Sequence, residues 1–125
     1  MINVTFDAGA LIAVERRHPG IRALLRQMQA GGLPVHIPAG ALAQAWRNHP
    51  RQHALHVLLG ADHVEVVPLG LFESLAAGAL CAAKSSRDIV DASVVTCAQD
   101  RGSVVITSDP DDIAALDPTL QVMTV

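Results

Sequence analysis

The order of the apolar runs predicts an α/β fold, with three α/β/α layers around a central, mainly parallel sheet. Two observations carry this. Short β-branched runs, such as Val4-Thr5-Phe6 and Val104-Val105-Ile106-Thr107, alternate with longer stretches of helical spacing. The two most strand-like runs each end in an aspartate, Asp7 and Asp109, where the chain leaves a strand and enters a helix.

The elements follow in order. The first strand covers residues 2–6, and a short helix runs from there to about Arg16, where His18-Pro19-Gly20 breaks it. Ile21, Leu24, Leu25 and Met28 recur at helical spacing, so a second helix occupies 21–30 and ends at Gly31-Gly32. Val35-His36-Ile37 is a short buried strand. Pro38 suits the first turn of a helix reaching Asn48. A further helix follows Pro50, with Leu55, Leu58 and Leu59 facing inward. A strand at 63–67 closes at Pro68, and Leu71, Leu75, Ala79 and Ala82 mark a helix over 70–84. The DIVDASVV helix, the SVVITS strand, a short helix at 110–116 and a last strand at 121–125 complete the chain.

Composition narrows the function classes. The 125 residues fit one domain, 1–125, and half are apolar, enough for a core without disulfides. No run approaches the roughly 20 apolar residues that span a membrane. The N-terminus lacks the basic start and cleavage site of a signal peptide, so a cytoplasmic protein is expected. Cys81 and Cys97 read as reduced, buried thiols. Net charge is −3, unusual for a nucleic-acid binder. However, five of the twelve acids (Asp88, Asp91, Asp109, Asp111, Asp112) crowd two junctions, where a cation would offset them. Eight of the nine basic residues are Arg, with Arg16, Arg17, Arg22 and Arg26 in one group and Arg47 and Arg51 in another. Arg is the better bidentate phosphate ligand. Phe6, Trp46 and Phe72 are the only aromatics, which argues against strand binding by stacking platforms.

In an open parallel sheet the carboxyl ends of the strands line one crevice. Asp7, Asp109 and the pair Asp88 and Asp91, at the start of a helix, are therefore expected to meet there. Several carboxylates in one pocket cannot all stay ionised without a cation. A hard divalent ion held by oxygen, Mg²⁺ or Mn²⁺, is the economical reading. Such an ion activates water and neutralises a departing oxygen, the two needs of phosphodiester hydrolysis.

The segments FDAGALIAVERR, IPAGALAQAWRN, DIVDASVVTCAQDRG and VVITSDPDDIAAL resemble, in order and spacing, those of PIN domains. The resemblance is to the VapC-type ribonuclease toxins of bacterial toxin–antitoxin pairs and covers essentially the whole chain. It implies a Mg²⁺- or Mn²⁺-dependent endoribonuclease in which Asp7, Asp91 and Asp109 are the catalytic, metal-holding acids. Asp88 and Asp112 look like accessory acids, and Thr107 and Ser108 are placed to orient a carboxylate or water. The resemblance further implies an RNA substrate, inhibition by a small antitoxin and a homodimer; the helices near 21–30 and 42–59 are the expected interfaces. Lys84 and Arg87 flank the DIVD start and are candidates for substrate phosphate. One position departs from the family: the helix after the second strand usually brings a glutamate into the pocket, and here Gln44 stands there. One unit charge near a metal is on the order of a few kcal/mol at an effective dielectric of about 20.

Each acid also has a structural reading. Asp7, Asp88 and Asp109 could cap helices, with Pro110 at the first helical position. His49, His53 and His56 share a helical face only if that helix begins before Pro50, and a solvated face explains them. Two rival functions remain: a PIN-like binding module that no longer cleaves, favoured by Gln44, and a receiver-type phospho-acceptor. The latter needs an acid pair after the first strand, where this chain has a lone Asp7.

Overall fold

The computed structural model describes residues 2–125. The chain forms β1 (Val4–Phe6), α1 (Ala8–Glu15), α2 (Pro19–Gly31), β2 (Val35–Pro38) and α3 (Ala39–Ala45). A 3₁₀ turn at Pro50–Gln52 leads into α4 (His53–Leu59), β3 (Val64–Val67) and α5 (Leu71–Lys84). Then come α6 (Ile89–Arg101), β4 (Val104–Thr107), α7 (Pro110–Leu116) and β5 (Val122–Thr124).

The five strands pair in the order β3-β2-β1-β4-β5, and every pairing is parallel. Val4 sits opposite Val35 on one side and Val104 on the other, and Phe6 sits opposite Ile106. Strands with helices on both faces read as continuous apolar runs, and β1 is buried at every position. Phe6, Ile37, Val105 and Ile106 form the centre of the core, with Leu11 of α1 and Val94 and Val95 of α6 packed over them. Fully burying one such side chain contributes about 1.5–3 kcal/mol.

The strand order places the site. From β1 the chain steps to β2 and β3 on one side, then returns past β1 to β4 and β5 on the other. The order therefore switches direction between β1 and β4, and at such a point the loops leaving the strand ends part to open a crevice. The chain reaches it at Asp7 and at Thr107-Ser108-Asp109.

Three local expectations are corrected. The helix expected to reach Asn48 stops at Ala45: Trp46 is extended and Asn48 takes a positive φ of 52°. The residue before a proline is pushed away from helical geometry, and His49 before Pro50 is extended. His49 thus lies outside α4, and the three histidines do not share one helical face. The helix over α5 forms, but Leu71 and Leu75, which mark it in sequence, are 70% and 62% exposed. The buried residues of α5 are Ala77 and Cys81 instead, because a helix that is apolar all round does not announce which face turns inward. Both cysteines are free and buried, as expected.

Candidate functional site

Asp7 is the N-cap of α1, with extended backbone, and its Oδ1 accepts the Ala10 N–H at 2.8 Å. Its own N–H donates to the carbonyl of Ile106 at 3.1 Å, which fastens the end of β1 to β4. The side chain is buried, at 5% exposure. Burial raises its pKa above the usual carboxylate range, and the Asp109 charge adds to the rise. Hydrogen bonds from the Thr107 hydroxyl and from the Ala10 and Gly9 backbone oppose it.

Thr107, the last residue of β4, is fully buried. Its Oγ1 also accepts the Asp109 N–H at 2.8 Å. The same hydroxyl lowers the Asp7 pKa, so it acts on both acids of the switch point. Asp109 stands at the N-cap position of α7 yet makes no side-chain capping bond. Its carboxylate is exposed and accepts from the Ser108 hydroxyl at 3.4 Å. Capping accounts for Asp7 and Asp88 in part, and it does not account for Asp109.

The third arm is the start of α6. Asp88 caps the helix, its Oδ1 accepting the Asp91 N–H at 2.9 Å. Its own N–H is held by Ser86 Oγ at 3.1 Å. Asp91 is half-buried and its pKa is pushed up to about 7, first by burial and then by the charge and hydrogen bond of Asp88. The charges of Asp112 and Asp7 push it further. The charges of Asp88, Asp109 and Asp112 thus bear on Asp7 or Asp91, and Asp7 on Asp91, which links five acids at the starts of α1, α6 and α7.

The other candidates divide. Ser108 joins the cluster through its hydrogen bond to Asp109. Gln44 is exposed on α3 and makes no hydrogen bond to an aspartate among the described residues. Lys84, at the end of α5, is exposed, and its charge is felt by Asp117 beyond α7. Arg87 is exposed and forms no ion pair among the described residues.

The donor set is oxygen only, which suits a hard divalent cation. The acids do not form a finished ligand shell: among the described residues no three His, Cys, Asp or Glu side chains stand close enough to hold a metal ion. Asp109 and Asp112 are exposed, whereas Asp7 is buried and fixed by its capping bond.

A model of the PIN domain matches residues 4–117. The chain belongs to the PIN-domain family. No curated protein matches this PIN domain significantly. Solved structures share its fold at low identity. VapBC2 of Rickettsia felis, bound to a DNA fragment from its promoter, is 13% identical over 99% of both chains, with a TM-score of 0.73. DNA-bound VapBC of Salmonella typhimurium is 17% identical over 99% of this chain and 98% of that one, with a TM-score of 0.71. VapC20 of Mycobacterium tuberculosis, described as a sarcin–ricin-loop-cleaving toxin, is 15% identical over 90% and 94%, with a TM-score of 0.63.

Three features of this PIN domain escape sequence reasoning. Gly9 lies under Ser108 so closely that a Cβ there would collide with the Ser108 hydroxyl and come within 2.9 Å of its Cβ. The signal available was a glycine in the first turn of a helix, where it carries a propensity cost. His36, in β2, is buried at 8% exposure, with Nδ1 lacking a hydrogen bond and 3.7 Å from the Glu65 carboxylate. Finally, Leu69, Leu71, Phe72 and Leu75 form an exposed apolar patch, with Phe72 81% exposed. Beside it a cleft of about 200 Å³ runs along α6 from Ser93 to Arg101, and none of the five aspartates lines it.

Proposed function

We propose that this PIN domain is a metal-dependent endoribonuclease and the toxin of a type II toxin–antitoxin pair. The observation that carries the reading is the linked repulsion of Asp7, Asp88, Asp91, Asp109 and Asp112 at the topological switch point. Structural acids in a fold of this size are spread out or paired with bases. Asp7 and Asp91, both raised by burial and by the acids around them, call for a counter-charge, and the economical one is a divalent cation, Mg²⁺ or Mn²⁺. The VapC fold supports the same reading, as does the family's general reliance on divalent ions.

On this reading Asp7, Asp91 and Asp109 hold the cation, with Asp88 and Asp112 accessory. When bound, the cation neutralises phosphate charge and activates water. The residues do the rest. Asp7 is the fixed point, oriented by Ala10 N–H and Thr107. Asp91, raised to about 7 by burial and its acid neighbours, is the carboxylate whose ionised form a bound cation would favour most. Ser108 steadies Asp109, and Arg87 and Lys84 flank the pocket as candidate phosphate contacts. The partners that follow are RNA, a small antitoxin and a second copy of the chain. No helix among the described residues is long and apolar enough to cross a membrane, and the expected site of action is the cytoplasm.

We favour a different interface from the helices near 21–30 and 42–59. Near 21–30 and 42–59 most large apolar groups turn inward, with Ile21, Met28, Leu55 and Leu58 buried and Leu24, Leu25 and Trp46 half-buried. The larger exposed patch is that of Leu69 to Leu75. A second reading, a module that binds without cleaving, is favoured by one observation: Gln44 adds no charge and the acids do not close a ligand shell.

The test is cleavage of a total-RNA substrate by purified protein with Mn²⁺ or Mg²⁺, against a control with chelator. Cleavage that needs the cation and is lost in Asp7→Asn supports the enzyme. No cleavage with RNA still bound supports the second reading, and cleavage that persists with chelator contradicts metal dependence.

A further inference from the structure

Residues 9 and 108 compete for one space. A side chain at residue 9 would strike Ser108 Oγ, approach Ser108 Cβ to 2.9 Å and lie 3.3 Å from Asp7 Oδ1. That volume is filled from the other side of the switch point by Ser108, whose hydroxyl donates to Asp109 Oδ2 at 3.4 Å. Gly9 is not required by its backbone conformation, since its φ is not in the left-handed region. It is required by this close approach. The α1 start and the β4 exit thus meet through a bare backbone on one side and a hydroxyl on the other.

We infer that Gly9 and Ser108 form a positioning pair: the bare first turn of α1 seats the Ser108 hydroxyl over Asp7, and Ser108 in turn sets the Asp109 carboxylate towards Asp7. Neither residue reacts. Asp7 is held by its cap and by Thr107, whereas the exposed Asp109 side chain has Ser108 as its only side-chain hydrogen-bond partner among the described residues. Ser108 is therefore the restraint that sets how the two acids face one another. Side chains that orient metal-binding groups in this way are worth about 10- to 100-fold in metal affinity. The inference rests on the metal-site reading above.

The experiment is Mn²⁺ calorimetry and thermal melting of wild type, Gly9→Ala, Ser108→Ala, the double variant Gly9→Ala with Ser108→Gly, and the swap Gly9→Ser with Ser108→Gly. Ser108→Ala keeps the packing and should melt like wild type while binding Mn²⁺ about tenfold more weakly. Gly9→Ala should lower the melting temperature, and the added Ser108→Gly should restore it without restoring affinity. The swap returns a hydroxyl to the same space from α1 and should recover both. Wild-type affinity in Ser108→Ala and Gly9→Ala overturns the positioning role. Should the wild type bind no Mn²⁺, the metal reading fails on its own. The melting cycle then decides the pair: rescue of Gly9→Ala by Ser108→Gly upholds the shared space, and independent effects overturn it.

Discussion

Asp7 and Asp109 follow the ends of two adjacent parallel strands, and the Asp7 amide ties one strand end to the other. Phe6 is in register with Ile106, Asp7 N–H reaches the Ile106 carbonyl, and the Thr107 hydroxyl accepts the Asp109 amide while lowering the Asp7 pKa. Residues more than a hundred positions apart in sequence thereby face one crevice.

The first prediction follows from that geometry. Asp7→Asn and Asp91→Asn should abolish cleavage with the circular dichroism spectrum unchanged, while Asp112→Asn should reduce it less. Asp112 is exposed and acts on the cluster only through Asp91. Equal losses in all three, or no loss at Asp7, contradict the ranking.

The second concerns pH and Asp91. Its folded-state pKa, about 7, lies above its ordinary value, so the folded chain holds this proton more tightly than the unfolded chain. The associated stability is fully present below about pH 4 and is lost as pH rises through about 7. Melting curves should show Asp91→Asn flattening the pH dependence between those values, and saturating Mn²⁺ should raise the melting temperature most at pH 7–8. A wild-type and Asp91→Asn pair with parallel pH profiles counts against the coupling.

His36 should act with the opposite sign. Burial and the Arg101 charge lower its pKa, with Glu65 opposing. The folded chain therefore binds this proton less tightly, and the stability is present above the unfolded-state pKa of about 6.5 and lost as pH falls through the folded value. His36→Gln should remove part of the loss in melting temperature on acidification to pH 5. An unchanged acid limb rejects this.

The Leu69–Leu75 patch gives a fourth expectation. Exposed apolar patches of this kind mark interaction sites. Phe72→Ser should convert a homodimer to a monomer in light scattering without lowering the monomer's melting temperature, because Phe72 is solvated in the monomer. A wild type that stays monomeric at all concentrations contradicts it.

What the sequence made legible is local. The β1 and β4 runs, the cap position of Asp7 and Asp88, and the glycine stop at Gly32 (φ 62°) all depend on neighbours within a few residues. Non-local features were not legible. The inward face of α5 is set by what α6 offers, not by the periodicity of LFESLAAGALCAAK. The end of α3 at Ala45 is fixed partly by Gln52, which donates to the Ala45 carbonyl and accepts from Arg47 N–H. The Gly9–Ser108 contact joins the exits of two neighbouring strands that are distant in sequence, so no spacing rule reveals it. The place of Gln44 was expected from family resemblance, and its exposure makes a clear test. Gln44→Glu should tighten Mn²⁺ binding if the position reaches the cation, and leave it unchanged if α3 only frames the pocket.

The central claim is that Asp7, Asp91 and Asp109 share one divalent cation. Anomalous diffraction at the manganese edge from a Mn²⁺-soaked crystal tests it most directly. The account predicts a peak between these three carboxylates, with the exposed Asp109 turned inward. Contradiction would be a crystal at saturating Mn²⁺ with no peak in that crevice, or with its only peak elsewhere, such as beside His49, His53 and His56.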